Sequence, residues 1–288
     1  MKIITNDYSC GTSSSLLDYN IKDFVVVCSE QDHKHIFDLQ DDLFFVGHDF
    51  MLYLWSTEKY IQHWANYKHD KIVWCFEKID CIVPEWRAKS YYSLSQCQRF
   101  TDKFCASDEE DCRKYNIFWL PQWASRYFYD RHASVDRTED KLLFSGQAGV
   151  IGYERRGALL RQILGDVDLK DKFYLCNTTR KFSWPEYVDN LLKHKVILAP
   201  FGNLVAYNTR TFEALTSGRW LLQQVDDRYK WHMELTKPYK NVSHFTTFEE
   251  LKNILLNEDV EAHQDYDPTP QFNNNSLMER LKRIGFDI

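Results

Sequence analysis

The stretch that decides the fold is residues 199–222, APFGNLVAYNTRTFEALTSGRWLL. It completes an apolar run, KVILA at 195–199, of the kind that forms a strand buried on both faces. A Gly/Asn loop follows. A short helix then starts near Thr209 and stops at Gly218, and a second apolar run, WLLQQ, occupies 220–224. Strand, loop, helix and strand in that order make a βαβ unit of a parallel sheet. Arg210 and Glu213 stand in the first turn of the helix. One reading makes them an i,i+3 surface pair worth ~0.2–0.5 kcal/mol. The other makes the corner an anion site. The first amides of a helix lack intrahelical acceptors and its dipole favours negative charge. Arg210 adds a fork suited to phosphate oxygens, and Glu213 can accept two hydrogen bonds from a ribose diol. Gly202 lets the loop backbone approach a ligand, and Gly218 suits a left-handed helix end. Tyr207 and Asn208 belong to the same loop, with Tyr207 placed to stack on a base or sugar.

The alternation extends outward through the chain. Candidate strands are 2–5, 24–28, 43–47, 71–76, 103–106, 117–120, 141–145 and 172–176. Helical patterns occupy 50–66, 107–115, 153–164, 184–194, 247–257 and about 276–284. The helix at 107–115 is capped by Ser107 or Asp108, and Ser183/Glu186 and Thr247/Glu250 are spaced as capping boxes. The polar segment 132–140 reads as a linker, and 263–275 as an exposed loop. The expected architecture is α/β, two Rossmann-like domains with parallel sheets facing across a cleft. The domains are 1–135 and 136–288, with the final helix packing back on the first. In such sheets ligands lie beyond the carboxyl ends of the strands, so the loops after strands matter most.

One such loop is SGQAGVIGYERRGALLRQIL, 145–164. Gly146, Gly149 and Gly152 follow a strand, and Arg155 and Arg156 open the next helix. The GxxGxxG spacing is not the dinucleotide fingerprint, but a Gly-rich turn with basic residues is a second phosphate-approach geometry.

Composition limits the alternatives. A net charge of −6 without a basic stripe argues against nucleic acid as a partner. The 8 cysteines form no CxxC pair and several lie in apolar runs, which suits buried thiols in a reducing compartment. No apolar run reaches the ~20 residues of a membrane span. MKIITNDYSC turns polar too early for a signal peptide. A cytoplasmic, soluble protein is expected, and peripheral attachment to a membrane is compatible with the composition. Asp166/Asp168 and Asp265/Asp267 have DxD spacing, but both fall in loops and no metal site is expected from them.

YVDNLLKHKVILAPFGNLVAYNTRTFEALTSGRWLL resembles the donor-binding half of GT-B-fold glycosyltransferases. It is closest to the spore-maturation-type group and is similar also to the exostosin domain. KIVWCFE and FCASDEEDCRKYNIFWLPQWASRYFY resemble the acceptor-side domain. The likeness covers most of 70–255 and is sharpest over 195–222. It implies a transferase that uses a nucleotide-diphosphate sugar as donor substrate and a glycan or glycoconjugate as acceptor, without a cofactor. By that resemblance Glu213 would hold the ribose, and Arg210 with one of Arg155 and Arg156 the diphosphate. Many retaining GT-B enzymes carry a second glutamate eight positions before the ribose glutamate, where this chain has Val205. That departure favours inversion, with a base from the first domain. Glu77 is the first candidate, followed by Asp80, His48 and Asp49, all near strand ends. The rival readings are a sugar-nucleotide epimerase and a catalytically inactive sugar-nucleotide-binding scaffold.

Overall fold

The structure is a computed structural model. It describes residues 1–5, 24–26, 36–46, 58–75, 78–80, 84–99, 101, 103–123, 126–146, 154–177, 183–201, 207–226, 233–264 and 266–286. The chain divides into two compact units, 1–122 with 280–288, and 123–279.

The first unit is built on six parallel strands: β1 (Lys2–Thr5), β2 (Phe24–Val26), β3 (Leu43–Val46), β4 (Lys71–Cys75), β5 (Phe104–Ala106) and β6 (Phe118–Trp119). Their order is β2-β1-β3-β4-β5-β6. Helix α1 (Glu58–Asn66) connects β3 to β4, α2 (Pro84–Cys97) connects β4 to β5, and α3 (Glu109–Tyr115) connects β5 to β6. Strands covered on both faces need no polar alternation, which is why LFFV in β3 is buried throughout. One face packs Ile4, Phe45, Val73 and Phe104 against Tyr60, Ile61 and Trp64 of α1 and Leu94 and Cys97 of α2. The Trp64 ring meets Phe45 edge-on at 5.2 Å. A buried aromatic of this size contributes about 3 kcal/mol or more when compared with alanine. Cys75, Cys97, Cys105 and Cys112 are buried free thiols. Asp108 caps α3, its side chain accepting from the Asp111 amide.

The second unit carries β7 (Glu139–Gly146), β8 (Phe173–Asn177), β9 (His194–Ala199), β10 (Trp220–Gln224) and β11 (Val242–Phe245). Read from the β8 edge, the order is β8-β7-β9-β10-β11, and all pairs are parallel. Both units therefore share the second-first-third-fourth-fifth strand order of a doubly wound sheet. Helices α5 (Glu154–Gly165), α6 (Trp184–Lys193) and α7 (Thr209–Thr216) make the successive crossovers, and α8 (Phe248–Asn257) follows β11. Leu142, Phe144, Val196, Leu198, Trp220 and Leu222 turn one face of the sheet toward Leu159, Leu160 and Ile163 of α5 and Leu251 of α8. Both expected capping boxes are present, Ser183 with Glu186 and Thr247 with Glu250.

Two expectations are corrected. The linker at 132–140 ends earlier, because Glu139 and Asp140 already belong to β7. Segment 263–275 is not an exposed loop throughout. Its end forms helix α9 (Thr269–Asn275), in which Gln271 and Asn275 are buried. Phe272 stacks on Tyr129 of helix α4 (Arg126–Arg131) at 4.5 Å, and Asn275 Nδ2 donates to the Tyr239 hydroxyl at 3.1 Å. These tertiary contacts override the weak helix propensity of an Asn-rich sequence. The pattern at 50–66 is helical over Glu58–Asn66, with 50–57 outside the described residues. The last helix, α10 (Leu277–Arg283), lies where it was expected.

Candidate functional site

In the second unit the strand order reverses direction between β7 and β9. A crevice at the carboxyl end of such a pair is where open α/β sheets bind ligands. Gly146 ends β7 there, and Asn208 and Arg210 open the helix that follows β9. Asn208 caps that helix, its side chain accepting from the Arg210 amide at 3.0 Å and donating to the Pro200 carbonyl at 3.0 Å. A capped start fixes where the Arg210 side chain leaves the backbone. The side chain then crosses the strand end. Its Nε donates to the Ser145 carbonyl, and its guanidinium lies 5.1 Å from the centre of the Phe144 ring.

Gly146 is required by this crossing. Its φ is +155°, and a Cβ built there would stand 2.1 Å from Arg210 Nη2. Any larger residue would both strain the backbone and displace the guanidinium.

Arg156 reaches the same ring from α5. It is buried, its Nε donates to the Phe201 carbonyl at 3.1 Å, and its guanidinium is 5.6 Å from the Phe144 ring centre. Two cations thus converge on one phenyl ring, a favourable cation–π arrangement with each. Arg155 points elsewhere. It is 54% exposed and pairs with Asp226 at 3.6 Å. Beside it opens a cavity of about 400 Å³, lined by Arg155, Gln162, Phe201, Gln224, Asp226 and Phe248 among others. Of the two adjacent arginines, Arg156 is the one brought to Arg210.

Glu213 does not form the surface pair that its spacing allowed. It is 2% exposed, and its Oε2 accepts from the Tyr187 hydroxyl of α6 at 2.7 Å. The Tyr187 phenol is held well above its usual pKa by burial and by the Glu213 charge, with Arg210 opposing. Tyr187 went unnoticed in the sequence, where it reads as one apolar position on an amphipathic helix.

Tyr207 corrects an expectation. It is buried, its ring lies 6.2 Å from Phe212, and its hydroxyl accepts from the Leu235 amide at 3.0 Å. It is a packing residue that pins the chain at 233–236 and does not present its face for stacking. Gly218 has φ +65° at the end of α7, the left-handed helix end its position predicted. Gly202 and Val205 lie outside the described residues.

In the first unit, His48, Asp49 and Glu77 lie outside the described residues. Asp80 is described. It accepts from the Tyr115 hydroxyl at 2.8 Å and also from Tyr91 and Lys114. These donors outweigh its partial burial and lower its pKa to about 2, so it is a weak proton acceptor at neutral pH. Close by in space, Asp111 is 1% exposed and accepts from the Ile79 amide at 2.5 Å. Burial and the neighbouring Asp108 raise its pKa to about 7. Lys78 bridges Asp108 at 3.2 Å and Glu110 at 2.8 Å.

Among the described residues no His/Cys/Asp/Glu cluster has the arrangement of a metal site. Asp166 and Asp168 close on the ammonium of Lys252 at 2.8 and 2.7 Å. Asp267 accepts from Thr269, while Asp265 lies outside the described residues. No described helix is long and apolar enough to cross a membrane. No model of a known protein family matches the chain, and no curated protein matches it.

Proposed function

We propose that the chain is a GT-B-type glycosyltransferase that moves a sugar from a nucleotide-diphosphate sugar to a hydroxyl of a glycan or glycoconjugate, with inversion and without a metal. The observation that carries the reading is Arg210. Its guanidinium is held over the carboxyl end of β7, beside the amino end of α7 and at the point where strand order reverses. A diphosphate is the ligand that a helix start and a planar cation complement together. The two-sheet α/β architecture and the resemblance over 195–222 support the same reading.

The chemistry follows from those positions. The acceptor oxygen attacks the anomeric carbon as the bond from that carbon to the diphosphate oxygen breaks. Negative charge grows on the departing nucleotide diphosphate, and Arg210, with Arg156 beside the same Phe144 ring, stabilises it. A carboxylate or imidazole base takes the acceptor proton. Asp80 is poorly suited to that task, which leaves Glu77, His48 and Asp49 as the residues to substitute.

The test is incubation with UDP-, GDP- and ADP-sugars in the absence of acceptor, comparing wild type with Arg210→Ala. Slow donor hydrolysis is expected in the wild type, lowered by ~10²-fold in the variant. Hydrolysis unchanged by the substitution would contradict the site. Donor binding with no hydrolysis would favour the scaffold reading, and a recovered epimer of the sugar would favour the epimerase.

A further inference from the structure

We infer that the cavity between α5 and α8 receives the sugar ring of the donor, and that the ring is an uncharged hexose, not a uronate. The inference rests on the proposed diphosphate site at Arg210 and is independent of Glu213. At about 400 Å³ the cavity is within the range of small-ligand pockets. It lies at the carboxyl ends of the strands, where Gln224 ends β10 and Thr246 and Thr247 follow β11. Crossovers between parallel strands are right-handed. Since β7 to β8 and β9 to β10 run in opposite directions across the sheet, α5 and α7 cover opposite faces. Arg210 reaches the end of β7 from α7, and the cavity is on the α5 side. Arg156 and Phe201 join the two places. The Arg156 guanidinium lies beside the Phe144 ring that Arg210 also meets. Its Nε donates to the carbonyl of Phe201, and Phe201 lines the cavity. A sugar nucleotide held at its diphosphate by Arg210 thus has room for one of its two ends on the α5 side.

The lining selects which end. Gln224 Oε1 accepts from the Phe201 amide at 3.2 Å, and its Nε2 donors have no partner among the described residues. The Gln162 amide has none there either. Phe248, half-buried against the core, supplies an apolar wall. Amides beside an apolar wall suit a ring whose hydroxyls both donate and accept. Charge is excluded on two grounds. Arg155 and Asp226 pair with each other at 3.6 Å, so together they add no net charge to the lining. The start of α8 is already occupied, because the Thr246 and Thr247 amides donate to Glu250 at 2.6 and 3.4 Å. A uronate carboxylate would have to compete with Asp226 for Arg155 and would find those amides taken.

The experiment is a calorimetric titration of wild type and Ala158→Trp with UDP, GDP and ADP, with uncharged hexose conjugates of each, and with the corresponding uronates. Ala158 is an exposed residue of α5 that lines the cavity, so an indole there fills the space without removing a buried contact. The wild type is expected to bind at least one hexose conjugate ~10-fold or more tightly than its uronate. In Ala158→Trp the affinity for that conjugate should fall by ~10-fold or more, while affinity for the parent diphosphate stays within ~2-fold. A conjugate affinity that survives in the variant would overturn the inference while sparing the diphosphate site. An equal loss for conjugate and diphosphate would also overturn it, since the cavity would then serve the nucleoside or the fold. A uronate bound as tightly as its hexose would overturn the uncharged class. A wild type that binds the diphosphates but no conjugate would overturn the inference alone. A wild type that binds none of these compounds would overturn the inference and the nucleotide-diphosphate reading together.

Discussion

Arg210 and Glu213 occupy one turn of one helix, yet their surroundings differ sharply. Arg210 keeps its guanidinium at the strand end, over a glycine that no other residue could replace without displacing it. Glu213 is buried against a phenol. The placement of these two residues on a helix that follows a buried strand was legible in the sequence, because an apolar run, a Gly/Asn loop and a Gly-terminated helical pattern succeed one another there. Their partners were not legible. Tyr187 is one aromatic among 17 tyrosines, and helical periodicity says which face it takes but not what its hydroxyl touches. Tyr207 shows the converse. Its loop position was read correctly, but the direction of its side chain depends on packing against Phe212 and on the Leu235 amide. In the first unit, Asp111 yields a pH prediction. Folded, it keeps its proton up to about pH 7, against 3.8 ordinarily. The folded chain binds that proton more tightly than the unfolded chain. The stability it contributes is therefore full below about pH 4 and is lost as pH rises through 7. Asp111→Asn removes the ionisation. Thermal unfolding should show the variant matching wild type near pH 4 and exceeding it by ~1–3 kcal/mol at pH 8. A constant difference across that range would contradict the assignment.

Helices α6 and α7 carry the two halves of the Tyr187–Glu213 contact, and one residue ties their far ends. Arg219 is fully buried. Its Nε donates to the Leu192 carbonyl at 3.0 Å, with Nη2 joining it, and its Nη1 donates to the Ser217 carbonyl at 2.6 Å. Leu192 belongs to the last turn of α6, and Ser217 closes α7. A cation at the carboxyl ends of two helices complements both dipoles and satisfies their terminal carbonyls. Lysine retains the charge but has no fork to span both carbonyls. Arg219→Lys should therefore destabilise the protein by about 2–4 kcal/mol in urea unfolding. A loss below ~0.5 kcal/mol would show that the tie is unimportant. Helices with strong end signals were legible as elements. The Ser183 and Thr247 boxes mark their starts, and Gly218 marks the end of α7. Strand β11 was not legible, since VSHF is short, half-polar and only partly buried at the sheet edge. Helix α9 was hidden for a related reason, because the helical form of its Asn-rich sequence depends on Tyr129 and Tyr239, which are distant in sequence.

At the scale of the whole chain, apolar runs separated by capped helices were sufficient to read two parallel α/β sheets. They could not give the order of strands within each sheet. That order is a tertiary property, and it locates the reversal between β7 and β9 where Gly146 and Arg210 meet. The central claim is that this reversal point grips a nucleotide diphosphate. The most direct measurement is a crystal structure of the protein soaked with UDP, GDP or ADP, choosing whichever binds in solution. Diphosphate oxygens are expected within hydrogen-bond distance of the Arg210 guanidinium, and the ribose diol on Glu213. A nucleotide bound away from residues 145–156 and 199–213, with Arg210 still turned only to the Ser145 carbonyl, would contradict it.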